Sequence, residues 1–185
     1  MSAATAYRDQ WEDRTAQAVL DVIRERSRMR TSEWAERERI LTKGPMAGQL
    51  GRNEEAPYLV ERMDVISSPD RPRRAAVMKS ARVGYTEGVI GNGTGYCIDQ
   101  EPMDVILMQP TDEEAASYSN ENLDPRFWST PCLRRRLNLK SYKDPKSKTA
   151  YKAFPGGSLS IIGPKPSNLR RRSARIAFAD EIDEL

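Results

Sequence analysis

The chain has 185 residues, 38% hydrophobic and 31% charged, a composition that suits one globular unit or part of one. No apolar run approaches the ~20 residues of a membrane helix, and Met1 to Trp11 lacks the apolar core of a secretory signal. There is no histidine, so Ser-His-Asp, Cys-His and HExxH chemistry is excluded.

Any catalysis must therefore use carboxylates, Lys, Arg, Tyr, backbone amides or a borrowed metal. Cys97 and Cys132 lie far apart and make neither a disulfide framework nor a zinc signature, which fits a reducing, intracellular setting. The net charge is +3, unevenly spread. Basic residues cluster from Arg134 to Lys152 and at Arg170, Arg171, Arg172 and Arg175, just before Asp180, Glu181, Asp183 and Glu184.

In chain order, Tyr7, Trp11, Ala18, Val19, Val22 and Ile23 recur near the helical period and predict an amphipathic helix to about Met29. Thr31 or Ser32 is placed to cap a second helix through Trp34 to about Leu41, ended by Gly44-Pro45. Ala56-Pro57-Tyr58 opens a short helical stretch that Pro69 and Pro72 terminate. Ala75–Met78 and Val105–Met108 are short apolar runs expected to be strands. Thr111 and Glu114 have capping-box spacing for a helix from Asp112 to about Asn120. Ala150–Phe154 and Ser158–Ile162 flank Pro155-Gly156-Gly157 as a hairpin, and Arg175–Ala179 is a last strand. Strands alternating with helices predict an α/β fold with a mostly parallel sheet and flanking helices.

The chemistry concentrates in two places. Lys79-Ser80-Ala81-Arg82-Val83-Gly84-Tyr85-Thr86 follows an expected strand and precedes an expected helix. That is the layout of a P-loop, where backbone N–H groups and a helix N-terminus cradle phosphates and a Ser/Thr hydroxyl reaches Mg²⁺. Against G-x-x-x-x-G-K-[ST], Gly84 and Thr86 sit correctly, whereas Lys79 stands for the first glycine and Tyr85 for the lysine. A wrapped loop brings both its ends near the phosphates, so Lys79 can supply the ammonium from the front, with Arg82 a second cation within it. The other element is Arg175 to Glu181, an apolar strand ending in Asp180-Glu181, as Walker-B strands do.

Together these residues resemble the lambda-like GpA family of tailed-phage terminase large subunits, whose Walker A carries its lysine at the front of the loop. Trp34-Ala-Glu, Ala56-Pro-Tyr58, Gln109-Pro-Thr111, Phe154-Pro-Gly-Gly157, Gly163 and Asn168-Leu169-Arg170 add to the resemblance. It implies a P-loop NTPase of the ASCE/RecA-like kind: an ATP- and Mg²⁺-dependent motor that packages double-stranded phage DNA into a procapsid. Lys79 would be the phosphate lysine, Ser80 to Tyr85 the cradle and Thr86 the Mg²⁺ hydroxyl. Asp180 would be the metal carboxylate and Glu181 the catalytic one.

Partners implied by the resemblance are DNA, a small terminase subunit, the portal and further copies in a ring, in the host cytoplasm and without a membrane. Residues 1–55 would form a helical segment, a candidate to dock the small subunit or else to pack on the ATPase, and residues 56–185 the first part of the ATPase domain. In the family further strands, a coupling motif and a nuclease follow the Walker-B strand, so the chain is expected to be an N-terminal part, with DNA cutting expected elsewhere. Another P-loop translocase or helicase-like ATPase, or an inactive DNA- or partner-binding fragment, are the alternative readings. Tyr58 is assigned first to packing, with a contact to adenine the alternative. Arg134, Arg135, Arg136, Lys140 and Lys143 are candidates for the DNA backbone, and Arg170 to Arg172 for a neighbouring subunit's site. Trp11, Trp34 and Trp128 are assigned to packing, with base stacking the alternative.

Overall fold

The computed structural model describes residues 29–140, 149–170 and 172–184. The helix expected from Tyr7, with Trp11, falls outside the described residues, as do Lys143 and Arg171.

α1 (Thr31–Glu38) begins where expected, but neither Thr31 nor Ser32 caps it. Both lie in its first turn, where their backbone N–H groups donate to Ser67 Oγ at 2.9 Å and Asp64 Oδ1 at 3.0 Å. The orphan donors of the helix end are thus satisfied by its neighbour, α2 (Val60–Ser67), which follows a 3₁₀ turn at Pro57–Leu59. Between the two, Ile40 and Leu50 form an antiparallel bridge around the Gly44-Pro45 turn.

Residues 75–78 do not form the expected strand. They run extended and exposed, with Met78 wholly exposed. An apolar run has strand propensity, but a strand exists only where a neighbour takes up its N–H and C=O groups, and no described residue does. After the loop the chain winds through a π-helical turn (Thr86–Ile90) into α3 (Gly91–Asp99).

All nine residues of α3 are buried, because its glycines let neighbours close in on every side. A Cβ on Gly95 would lie 2.3 Å from the Trp34 ring, and one on Gly93 2.4 Å from Ile66 and 3.0 Å from Phe178. Trp34 also donates its indole N–H to Asp99 Oδ2 at 3.1 Å, so this tryptophan is a packing residue.

β1 (Val105–Met108) leads into α4 (Asp112–Tyr118), where Glu114 N donates to Thr111 Oγ1 at 3.0 Å, the expected cap. A second π-turn (Ser119–Leu123) continues into α5 (Asp124–Ser129), followed by α6 (Pro131–Arg136). The hairpin forms as β2 (Tyr151–Phe154) and β3 (Gly157–Ile162), with Gly156 at φ 89° in its turn. A single turn, α7 (Pro166–Leu169), precedes β4 (Ile176–Ala179).

The sheet has the order β2-β3-β1-β4. β3, β1 and β4 are parallel and β2 pairs antiparallel with β3, which bears out a mixed α/β architecture with a mostly parallel sheet. Val105, Leu107, Leu159 and Ile161 on one face and Ile106, Ser160 and Ile162 on the other are buried, as central parallel strands covered on both faces require. β4 has one bonded neighbour, β1, so its other edge is open among the described residues.

Candidate nucleotide-binding site

The loop and the end of β4, remote in sequence, meet at the carboxyl end of the parallel strands. Thr86 Oγ1 donates to Asp180 Oδ2 at 2.5 Å, across 94 positions. Lys79 Nζ lies 3.7 Å from Asp180 Oδ1 and 3.8 Å from Glu181 Oε1. The front-of-loop lysine, the hydroxyl residue and both acidic residues therefore form one cluster.

The backbone shapes this cluster. Arg82 (φ 60°) and Gly84 (φ 74°) are left-handed, and such turns in successive residues make the N–H concavities that hold anions. Gly84 adopts this conformation without strain; Arg82 does so against its preference. Ser80, Ala81, Arg82 and Gly84 are exposed, leaving the concave side of the loop open to solvent. Tyr58, itself half exposed, donates its hydroxyl to Val83 O at 2.9 Å and ties the segment before α2 to the loop. Tyr85, at the usual lysine position, packs against the core instead. Burial, and after it the Asp180 carboxylate, push its phenol pKa up, so it stays a neutral packing group.

The carboxylates differ in setting. Asp180 is 4% exposed and its Oδ1 has no hydrogen-bond partner among the described residues. A buried carboxylate oxygen with no hydrogen bond, ion-paired only at 3.7 Å with Lys79, beside a threonine hydroxyl offers the hard oxygen donors that Mg²⁺ takes, and Mg²⁺ sites commonly use only one or two carboxylates beside substrate phosphates. Consistently, the described residues hold no group of three or more His, Cys, Asp or Glu that could form a protein-only metal cage. Glu181 is half exposed and left-handed (φ 50°), a strained conformation of the sort that collects at functional sites.

Other candidates lie elsewhere. Arg136 is engaged at the end of α3, with its Nη2 donating to Asp99 O at 3.1 Å, and Arg134 stacks over the Trp128 ring at 5.2 Å. Arg135, Lys140 and Arg170 are exposed. Arg172 donates to Ser160 Oγ.

The structure adds residues that sequence reasoning passed over. Arg126, 3% exposed, donates to Asn92 Oδ1 at 2.9 Å, to Glu87 O at 3.1 Å and to the Glu87 carboxylate. It thereby clamps the π-turn that begins at Thr86. An arginine between Pro125 and Phe127 carries no sequence signal of burial, since it is enclosed by residues distant in the chain, Glu87 of the π-turn and Gly91 and Asn92 at the start of α3. Burial, and next the Arg126 charge, lower the pKa of neighbouring Arg39 to about 10. Asp112, which opens α4, accepts from Gly163 N at 2.9 Å and Asn168 Nδ2 at 3.1 Å and pairs with Lys165, pinning the loop after β3.

Comparison with known proteins shows the family of the chain. Residues 45–185 match the family described as phage terminase large subunit gpA, ATPase domain. The chain is 29% identical over 152 residues to the terminase large subunit of Escherichia phage lambda, covering 81% of this chain and 23% of that protein. It is 27% identical over 154 residues to the terminase large subunit of Enterobacteria phage P21, covering 82% of this chain and 24% of that protein. The chain thus spans about a quarter of the length of these curated relatives. No solved structure matches it. With the family matched over most of its length and both ends of the cluster inside the match, the chain belongs to the phage terminase large subunit gpA ATPase-domain family.

Proposed function

We propose that this chain is the ATP-hydrolysing part of a terminase motor that drives double-stranded DNA into a phage procapsid. The observation that carries the reading is the convergence of Lys79, Thr86, Asp180 and Glu181 on one open loop. Lys79 and the N–H groups from Ser80 to Tyr85 hold the phosphates, and Tyr58 borders the adenine. Thr86 and Asp180 would hold Mg²⁺, which would supply positive charge against the phosphate oxygens. Glu181 orients a water and accepts its proton as the oxygen attacks the γ-phosphorus. The bond to the β-bridging oxygen breaks, leaving ADP and phosphate.

An ASCE/RecA-like sheet is part of the same proposal. It is supported by the open edge of β4 and by residues 75–78, an apolar run without a strand partner among the described residues, each of which can take a further strand. By the resemblance, the motor works as a ring with a small terminase subunit and a portal, in the host cytoplasm. No described helix is long and apolar enough to cross a membrane. DNA cutting is not proposed for these residues.

The reading is tested in the full-length protein by measuring ATP turnover and DNA packaging together. Turnover that depends on Mg²⁺ and is lost in Lys79→Ala supports it. Turnover indifferent to both Mg²⁺ and Lys79 removes it.

A further inference from the structure

β1 ends beside the buried Asp180. Met108 is in register with Ala179 of β4 and Ile162 of β3. The ladder runs one residue further on both sides, because Asp180 N donates to Met108 O at 3.1 Å and Gln109 N to Ile162 O at 3.0 Å. Gln109 is therefore level with Asp180. In a parallel ladder side chains at one level point to the same face of the sheet. On β4 that face is marked by Phe178, whose ring closes on Gly93 of α3, and by Asp180, bonded to Thr86. Gln109 shares the face that carries Asp180 and, bonded or ion-paired to it, Thr86 and Lys79.

The Gln109 side chain is 7% exposed, and its Nε2 makes no hydrogen bond among the described residues. A buried amide donor without an acceptor destabilises a fold relative to leucine at the same place, so its presence calls for a specific reason. Asp180 Oδ1, at the same level of the sheet, likewise makes no hydrogen bond and has only the Lys79 ammonium at 3.7 Å beside it. Phosphate oxygens bear only acceptors and match the amide donor, while a cation matches the carboxylate.

We propose that Gln109 contacts the terminal phosphate of the bound nucleoside triphosphate, Nε2 donating to a γ-phosphate oxygen, so that β1 distinguishes triphosphate from diphosphate. The proposal rests on the reading of the loop as the ATP site. A carboxamide is no base, so this role is separate from that of Glu181. Gln109 is joined through Pro110, whose φ is fixed, to Thr111, the cap of α4. Asp112 then holds Gly163 and Asn168. The presence of a γ-phosphate is thereby passed to the start of α4 and to the loop after β3.

The test uses the full-length protein with Gln109→Leu, which keeps the volume, and Gln109→Asn, which keeps but shortens the amide. Affinities for ADP and for a non-hydrolysable ATP analogue are measured, with turnover and thermal melting. Both variants should bind ADP like the parent and lose about tenfold in the preference for triphosphate, the worth of a lost hydrogen bond to a charged group. Gln109→Leu should melt no lower than the parent, although its turnover falls. If Gln109→Leu does not fold, the same comparison on Gln109→Asn decides. Unchanged triphosphate preference and turnover in a folded variant overturns the proposal. Lys79→Ala is run beside them: loss of both nucleotides there with intact discrimination in Gln109→Leu sinks only the role of Gln109. Full binding by Lys79→Ala sinks the ATP-site reading itself.

Discussion

Thr86 Oγ1 and Asp180 Oδ2 lie 2.5 Å apart, the one opening the helical turn after the loop, the other ending β4. The bond closes the loop onto the sheet and joins the two halves of the candidate site. It also fixes which groups remain available: Asp180 Oδ1, without a hydrogen bond, and the Lys79 ammonium beside it.

If Lys79 supplies the phosphate charge, Lys79→Ala removes most ATP turnover, whereas Tyr85→Phe, which keeps the ring packed in the core, leaves it nearly unchanged. Lys79→Arg restores only part of it, because a planar guanidinium does not replace a compact ammonium. Steady-state turnover of the three variants checks the assignment. Equal rates for Lys79→Ala and the parent would discard it.

The two acidic residues should separate binding from chemistry. Glu181→Gln keeps size and polarity but removes the base, so nucleotide binds while hydrolysis falls by about 10²–10⁴-fold, the usual contribution of a general base. Asp180→Asn weakens Mg²⁺-dependent nucleotide binding itself. Equilibrium binding and single-turnover hydrolysis distinguish the two. Normal hydrolysis by Glu181→Gln would move the catalytic carboxylate elsewhere.

Arg126 should act on stability and on the site together. Arg126→Met fills similar space but leaves Asn92 Oδ1 and Glu87 O without their donor. Each buried group left unsatisfied costs ~1–3 kcal/mol. Glu87→Gln, at a more exposed side chain, should be mild. Denaturant unfolding measures both, and an unchanged midpoint for Arg126→Met would show that the clamp on the π-turn is dispensable.

The cysteines make a pH-dependent prediction. Burial, helped by nearby carboxylates, raises both thiols from 9.0 to about 12. In the folded protein they should resist alkylation at neutral pH, and their labelling should not rise through pH 8–9 as a free thiol's does. Between about pH 9 and 12 the unfolded chain binds fewer protons at these groups than the folded one, so their contribution to stability falls as pH rises. Labelling rates against pH, with unfolded protein as reference, check this. Rapid labelling of folded protein at pH 8 would contradict it.

Local pattern alone placed much of the fold. The Thr111–Glu114 spacing set the cap of α4, Pro155-Gly156 set the hairpin, and the apolar runs at 105–108 and 176–179 set two strands, because hydrogen-bond geometry over a few residues decides such features. The candidate site was proposed on the same kind of pattern: Lys79 and Thr86 stand in a loop before a helix and Asp180 and Glu181 at a strand end, and the structure brings the four together. Where an outcome depended on distant partners, local pattern did not suffice. Residues 75–78 have the composition of a strand, yet pairing decides whether one exists, and no described neighbour supplies it. Thr31 and Ser32 read as caps, but the side chains of Ser67 and Asp64 took that work. Nothing local marks Arg126 as buried or sets Gln109 level with Asp180; the distant neighbours of Arg126, Glu87, Gly91 and Asn92, do the first and the register of β1 against β4 the second. The sequence determined which groups are present and the local turns that carry them. Only the tertiary structure decided which of them meet, because burial and register depend on the whole sheet and its covering helices.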